Sequence, residues 1–207
     1  MRSVVEHLLA FCDRQETSAM YDPRRFGPRV YATNRICMLR IPLQDDHPDL
    51  AAHQPIKEQN LEKWDLIIDS ARERAAAYLR LPELPAPIPC YFCSGTGNVG
   101  ACPHCDLGLF EHGGNDYECL NCRGAGQSKH IDGDQVCHQC GGLGEDPEQF
   151  VTLGSTIFTR RYLALIAALP GIRIAEPIEA LDAPVYFSST IGDGVIMPCR
   201  FIKDHSC

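Results

Sequence analysis

The feature that most constrains this chain is a set of four Cys-x-x-Cys pairs in one continuous segment, residues 90–140. Three of the pairs lead into a shared glycine pattern, as Ser-Gly-Thr-Gly, Arg-Gly-Ala-Gly and Gly-Gly-Leu-Gly. The eight cysteines are Cys90, Cys93, Cys102, Cys105, Cys119, Cys122, Cys137 and Cys140. Because one pair supplies half of a four-thiolate shell, the spacing predicts two tetrahedral sites, each for one Zn²⁺ ion.

The glycines after the pairs support this prediction. Glycine adopts positive φ without steric cost, so the chain can turn back after each pair and direct its amides at the sulfur atoms. The second pair departs from the pattern, because Cys105 is followed by Asp106-Leu107-Gly108-Leu109 and neither glycine is in register. The spacing alone leaves three alternatives to zinc open, namely disulfide bonds, a redox dithiol and an iron–sulfur cluster.

The cysteine segment contains few apolar residues and cannot build a hydrophobic core of its own. The core must therefore come from the two flanks, and each flank alone is short for a stable domain. We expect residues 1–87 and 147–207 to be the two halves of one body. Residues 88–146 are then a zinc-binding module inserted between those halves.

Hydrophobic periodicity in the flanks predicts an α+β body with mostly antiparallel strands. Helices are expected over residues 3–13, 61–79 and 155–169, with Asn60 as the N-cap of the second helix and Pro82 at its end. Strands are expected over residues 17–21, 150–153, 172–175, 184–188 and 194–202, and a hairpin over residues 30–41. Asp193, between the last two strands, is interpreted as a turn residue.

Charge limits the kinds of partner that the segment can have. The formal net charge is −8, and two four-thiolate zinc sites would make it about −12. Between residues 90 and 145 there are seven acidic residues against two basic ones, Arg123 and Lys129. A nucleic-acid-binding zinc finger is therefore disfavoured, and duplex DNA is not expected to bind through the module. Basic residues concentrate instead at Arg24, Arg25, Arg29, Arg35 and Arg40.

The sequence shows no recognisable signal peptide or membrane span, so we expect a cytoplasmic protein with reduced thiols and no membrane partner. Four further cysteines lack a partner pattern and are interpreted as incidental thiols: Cys12, Cys37, Cys199 and Cys207. Four histidines lie inside the module and are interpreted as solvent-facing, since eight cysteines already complete two shells: His104, His112, His130 and His138.

No catalytic motif is evident in the sequence. There is no Walker loop, no nucleophile elbow and no zincin helix. A zinc ion with four thiolate ligands also has no open position for a substrate. We therefore expect a protein that is not an enzyme.

The four cysteine pairs resemble the cysteine-rich zinc domain of DnaJ (Hsp40) co-chaperones, whose unit Cys-x-x-Cys-x-Gly-x-Gly occurs four times. In that family the first pair shares a zinc with the fourth pair, and the second with the third. The resemblance implies one zinc on Cys90, Cys93, Cys137 and Cys140 and the other on Cys102, Cys105, Cys119 and Cys122, with sequential pairing as the alternative. His47-Pro48-Asp49 matches the J-domain signature, but no basic helix precedes it, so it is interpreted as a coincidence in a surface loop.

Short sequence motifs in the two flanks resemble one domain of a bacterial DNA polymerase sliding clamp (the beta subunit). They are the closing strands at 184–201, the helix at 161–170 and the segment Tyr-Ala-Thr-Asn-Arg-Ile-Cys-Met-Leu-Arg at 31–40. The resemblance implies a sliding-clamp-like body of two strand–helix–strand repeats with antiparallel sheets. A full bacterial clamp has three such domains per chain, so a ring would require a homo-oligomer.

The sequence thus favours a cytoplasmic, zinc-binding accessory protein of bacterial or phage DNA replication and metabolism that contacts another protein. A homo-oligomer and binding of duplex DNA by the body are further options. Three other functions are kept open. They are a DnaJ-like co-chaperone that holds unfolded chains, an acidic phage-encoded inhibitor of a host DNA-binding or defence protein, and a dithiol oxidoreductase.

Overall fold

The fold was analysed in a computed structural model, which describes residues 3–12, 20, 22–43, 58–129, 131–177 and 183–199. The chain divides into two compact units, a body made of residues 1–84 and 150–207 and a cysteine module made of residues 85–149. Residues 17–19 and 21 of the predicted strand at 17–21, the tripeptide His47-Pro48-Asp49 and Cys207 lie outside the described residues, and Met20 is described as a turn residue.

The body contains α1 (Val4–Phe11), β1 (Arg24–Phe26), β2 (Arg29–Thr33), β3 (Cys37–Pro42), α2 (Glu58–Glu73), β4 (Tyr78–Leu79), β10 (Phe150–Leu153), β11 (Thr156–Thr159), α3 (Arg160–Ala167), β12 (Arg173–Ala175), β13 (Val185–Ser188) and β14 (Asp193–Ile196). The module contains β5 (Asn98–Ala101), β6 (Leu109–His112), β7 (Asn115–Glu118), β8 (Gln127–Ser128) and β9 (Gln135–Val136). The predicted α+β class with antiparallel sheets is confirmed. Within the described residues, no helix has the length and apolar character needed to cross a bilayer.

Strands from both flanks pair in one seven-stranded antiparallel sheet, in the order β1-β2-β3-β14-β13-β12-β4. The junction between the flanks is the β3–β14 ladder, in which Met38 lies opposite Val195 and Cys37 opposite Ile196. The body is therefore complete only when residues about 150 positions apart in the sequence have paired, as Arg40 and Asp193 have.

The core of the body lies between this sheet and the helices. Its largest fully buried side chains are Tyr31, Phe11, Phe158, Phe187, Leu8, Leu39, Ile68, Leu163, Ile166 and Ile174. Helix α1 begins with a capping box, in which Ser3 accepts from the amide of Glu6 and the Glu6 carboxylate accepts from the amide of Ser3. Phe11 of this helix is buried, whereas Leu9 is 49% exposed.

The long helix differs from its prediction at both ends. Helix α2 starts at Glu58, so Asn60 lies inside the helix and is not its N-cap. It ends at Glu73, and Tyr78 and Leu79, predicted on its apolar face, form strand β4 opposite Ala175 and Ile174. The helical periodicity of the sequence continues through Tyr78 and Leu79, but the backbone groups of these residues bond to strand β12 at the edge of the sheet. This pairing satisfies them in place of helical hydrogen bonds.

The helix predicted over residues 155–169 begins later, at Arg160. Residues 156–159 instead pair with β10 as a hairpin that turns at Gly154, whose φ is +60°. The segment Thr156-Ile157-Phe158-Thr159 is rich in β-branched and aromatic side chains, which pack well on a pleated strand. Phe158 consequently enters the core from a strand and not from the helix.

A buried arginine joins the sheet to helix α2. Arg40 is 4% exposed, and its guanidinium donates to Asp65 (Nη1–Oδ1 2.7 Å) and Asp69 (Nη2–Oδ1 3.0 Å). It also donates to both carboxylate oxygens of Asp193, at 2.9 and 2.7 Å. Asp193 is therefore a strand residue with an ion-pairing role, and its interpretation as a turn residue was wrong.

Two tyrosines complete this network. The Tyr31 hydroxyl donates to Asp65 Oδ1 at 2.8 Å, and the Tyr186 hydroxyl donates to Asp193 Oδ2 at 3.1 Å. Burial, together with the hydrogen bond to the Asp65 carboxylate, raises the pKa of Tyr31 to about 12. Burial opposes ionisation of Asp65, but hydrogen bonds from Arg40 and Tyr31 outweigh it and lower the pKa of that carboxyl. At neutral pH Tyr31 is therefore a neutral phenol and Asp65 a carboxylate.

Replacement of Arg40 by methionine should destabilise the body by about 3 kcal/mol, because it leaves three carboxylates close together without their shared cation. The change can be measured by urea unfolding followed by the fluorescence of Trp64, the one tryptophan in the sequence, whose ring packs edge-on to Tyr31. The matched control is Arg80→Met, which removes an exposed arginine and should change the free energy of unfolding by less than about 0.5 kcal/mol. Equal unfolding midpoints for the two variants would contradict this account.

Candidate metal centres

The structure brings the eight paired cysteines together in two groups of four, with all Sγ atoms of a group within 4.8 Å of one another. Site 1 consists of Cys90, Cys93, Cys137 and Cys140, and site 2 consists of Cys102, Cys105, Cys119 and Cys122. The first pair thus lies with the fourth and the second with the third, so the sequential arrangement is not the one observed. Each group can hold one metal ion.

The sulfur spacing fits a single tetrahedral ion. Cys93 Sγ lies 3.7 Å from Cys140 Sγ, and Cys105 Sγ lies 3.5 Å from Cys122 Sγ. Four thiolates bound to zinc at about 2.3 Å lie about 3.8 Å from one another. The eight cysteines are not linked as disulfides, in which the sulfur atoms would be about 2.05 Å apart.

Each site is assembled by an exchange of backbone hydrogen bonds between two loops. In site 1 the Cys90 amide donates to the Gly144 carbonyl (2.8 Å), and the Cys137 amide donates to the Gly97 carbonyl (2.9 Å). Site 2 repeats the exchange, with Cys102 donating to Gly126 and Cys119 to Gly108, both at 2.8 Å. The leading cysteine of each pair is therefore held by the glycine loop of the opposite pair.

Amides also point at the sulfur atoms. The Gly97 amide donates to Cys93 Sγ at 3.2 Å, and the Gly144 amide donates to Cys140 Sγ at 3.3 Å. Burial opposes ionisation of Cys93, but the amides of Gly97 and Gly95 outweigh it and lower the pKa of this thiol to about 7. Such bonds favour the thiolate form, and thiolates are the species that bind metal.

The same effect occurs in site 2. The amide of Cys122 makes the largest contribution to the pKa of Cys119, which is lowered to about 7. Burial, together with the neighbouring thiols, raises the pKa of Cys105 to about 12. Cys119 therefore ionises readily, whereas Cys105 needs a bound cation to be a thiolate at neutral pH.

The glycines of the loops allow a close backbone approach. A Cβ on Gly97 would lie 2.5 Å from the carbonyl oxygen of Gly142, and φ of Gly97 is +80°. A Cβ on Gly108 would overlap the carbonyl of Gly124 in the same way. Any side chain at these positions would separate the two halves of a site.

The second pair has fewer residues with positive φ in its loop than the other three pairs, but it keeps the same close approach to the opposite loop. After Cys93 and Cys122 the two following residues have positive φ, 53° and 89° in the first case and 50° and 74° in the second. After Cys105 the same left-handed pair appears one residue later, at Leu107 (46°) and Gly108 (96°). Because of this shift, Gly108 is still the residue that comes closest to the opposite loop, at Gly124. Leu107 then has a positive φ, which a glycine would adopt with less strain.

The two sites differ in burial. All four cysteines of site 1 are buried, and Val99 and Phe92 pack with them in a small apolar cluster. In site 2 Cys105 and Cys122 are partly exposed, and no apolar cluster surrounds them among the described residues. Water and chelators therefore reach site 2 more easily.

Residues outside the cysteine pairs contribute to the module and had no clear sequence signal. The Gln149 side chain closes the two ends of the module, accepting from the Ile88 amide and donating to the Ala86 carbonyl, both at 2.9 Å. Gln127 binds the backbone on both sides of Cys137 in the fourth pair, accepting from the His138 amide and donating to the Val136 carbonyl. An isolated glutamine in a polar segment forms no sequence pattern from which these hydrogen bonds could be predicted.

The histidines and remaining cysteines do not join the two groups of sulfur atoms. His104, His112 and His138 are exposed, and His130 lies outside the described residues. Cys12 and Cys37 are buried in the body and Cys199 is partly buried there. Within the part of the chain that the structure describes, the two cysteine groups are the only candidate metal sites.

Comparison with known proteins gives no further assignment, since no family model, curated protein or solved structure matches the chain. The function must therefore be argued from the geometry.

The glycine loops can be tested with two matched substitutions. Gly97→Ala should lower the metal affinity of site 1 on the order of tenfold, because the added methyl pushes away the loop that carries Cys140. Gly113→Ala is the control, since it has a similar φ of +62° but no atom within 4 Å of the added Cβ. The measurement is competition for metal with a chromophoric chelator, and equal losses in both variants would mean that φ strain alone is responsible.

Metal should leave the two sites at different rates. With excess chelator we expect release in two phases of equal amplitude, the faster one from the more exposed site 2. The double variant Cys119→Ser with Cys122→Ser should lose the fast phase and one metal ion per chain, as read by elemental analysis. Cys199→Ser, outside both sites, should keep both phases. Loss of the slow phase from the double variant would show that the order of release is reversed.

Proposed function

We propose that this protein is not an enzyme, that each site binds one Zn²⁺, and that the zinc-held module contacts another protein. The observation that carries the proposal is the pair of complete four-cysteine shells. Zinc is the metal that suits an all-cysteine tetrahedral set whose role is structural. A shell of this kind leaves no position for a substrate, so the metal stabilises the fold of the module.

The distribution of exposed apolar side chains supports a role in contact. Among the described residues, ten of the fifteen large hydrophobic residues that are exposed lie in the module, between Ile88 and Leu143. Exposed apolar side chains that cluster on one unit are typical of an interaction surface. The module does not bury these side chains itself, because among its described residues the buried hydrophobic ones are six cysteines and Val99.

The charge of the module supports a protein partner over nucleic acid. Seven acids against two bases would repel phosphates, and each zinc with four thiolates adds about −2. In the body Arg40, one of the concentrated basic residues, is buried in its network, and Arg29 also pairs with Asp65. Fewer arginines are therefore available to attract duplex DNA than the sequence suggested.

The setting that we propose is the cytoplasm of a bacterium, with bacterial or phage DNA metabolism as the process. It rests on the resemblance of the flanks to a sliding-clamp domain, within which β13 and β14 correspond to the closing strands. A clamp-like body could assemble as a homo-oligomer and engage a replication protein through the module. The DnaJ-like holdase is the second candidate, because exposed apolar side chains also suit weak binding of unfolded chains.

Chemical cross-linking in host lysate, followed by mass spectrometry, tests the proposal. The zinc-loaded chain should cross-link to a defined protein through residues 85–149. The link should be lost in Cys119→Ser with Cys122→Ser and kept in Cys199→Ser. Links that persist without zinc would refute a role for the module. Suppression of aggregation of a model substrate, with no discrete partner, would favour the holdase.

A further inference from the structure

The β6–β7 hairpin next to site 2 is exposed on both faces. Each of its eight strand residues is exposed, and it pairs with no third strand among the described residues. An isolated two-stranded hairpin is marginally stable in water, so its side chains are not explained by packing. Leu109 of β6 already exchanges backbone hydrogen bonds with Asp106, so the β7 edge is the one that could pair with an added strand.

The register sorts the side chains by face. Phe110 lies opposite Tyr117, and their rings stack with centroids 5.8 Å apart. Glu111 lies opposite Asp116, with Glu118 two residues further along the same face. The hairpin therefore has an aromatic face and an acidic face.

Both faces are costly in the free protein. Like charges directly opposite one another on a hairpin destabilise it, and Glu111 and Asp116 are such a pair. Phe110 and Tyr117 remain 40% and 47% exposed despite their stacking. A ligand that covers the aromatic rings and neutralises the carboxylates would remove both costs.

Two leucines flank the hairpin in the sequence, close to cysteines of site 2. Leu107 is 84% exposed and Leu120 is 87% exposed. Leu107 also has a φ of 46°, a conformation that is strained for a leucine. The loop of the second cysteine pair accounts for this φ, and the exposed side chain adds apolar surface beside site 2.

The charge of this region specifies the partner. Residues 103–126 contain four acids (Asp106, Glu111, Asp116 and Glu118) and one base (Arg123), a net charge of −3. Zinc with four thiolates would make it about −5. None of the four acids forms an ion pair with a described residue. The surface is complementary to a cation that also carries apolar groups.

We propose that the hairpin, with Leu107 and Leu120, is a docking site for an extended protein segment that alternates lysine or arginine with apolar side chains. The segment pairs along a hairpin edge, so its alternate side chains reach opposite faces. Its cations contact the carboxylates and its apolar side chains contact the aromatic rings. This inference rests on the proposed function and names the partner class of the module.

The test is fluorescence anisotropy with the zinc-loaded full chain and three labelled peptides, which alternate lysine with leucine, glutamate with leucine, and lysine with serine. Only the lysine–leucine peptide should bind well, and added salt should weaken it. The triple variant Glu111→Gln, Asp116→Asn, Glu118→Gln and the double variant Phe110→Ser, Tyr117→Ser should each lower its affinity about tenfold or more. Asp132→Asn with Asp134→Asn, which removes exposed acids elsewhere in the module, is the control and should bind as the wild type does.

Each outcome has one meaning. A metal content of two ions per chain verifies that a variant is folded. Equal binding of the lysine–leucine and glutamate–leucine peptides, binding of none of the peptides, or wild-type affinity in both hairpin variants would overturn the docking site.

The docking site and the proposed function can fail separately. If the lysine–leucine peptide needs zinc-loaded protein but binds both hairpin variants as tightly as the wild type, the docking site fails and the proposed function stands. If metal removal leaves hairpin-dependent binding unchanged, the proposed role of zinc fails instead. A wild-type oligomer that the hairpin variants convert to monomer would show that the occupant is a second copy and overturn the proposed partner.

Discussion

The exchange of amide–carbonyl bonds between opposite glycine loops is the constraint on which the cysteine module depends. It places the leading cysteine of one pair against the loop of another, and the four sulfur atoms converge because the loops do. A metal ion bound there would close an arrangement that the backbone has already defined. This is why the second pair tolerates a displaced glycine: the left-handed turn moves by one residue, while Gly108 still meets Gly124.

The body depends on a different kind of interaction. Its sheet and apolar core follow from ordinary burial, but Arg40 holds helix α2 and strand β14 through three carboxylates. Such a network contributes little net stability when intact and costs a great deal when broken, since the remaining charges stay close together. It also changes how the basic residues are interpreted, because an arginine saturated by internal carboxylates cannot attract a polyanion.

The sequence predicts the ligands better than the fold around them. Cysteine spacing is a local property, so all eight candidate ligands could be named, whereas their division into two groups came only from a family resemblance. The ends of α2 and α3 were misplaced because Tyr78 and Phe158 belong to strands whose partners lie elsewhere in the chain. Asp193 was misread for the same reason, since the arginine that it binds is 153 residues away. Local patterns carry no information about such pairings.

The position of β14 in the middle of the sheet has a consequence for biosynthesis. A ribosome produces β3 long before β14, so this edge of β3 has no strand to pair with while the intervening residues are being made. The cysteine groups close over much shorter distances, 47 residues between Cys93 and Cys140 and 17 between Cys105 and Cys122. The module can therefore bind metal and fold on the nascent chain before β14, the central strand of the body's sheet, has been synthesised.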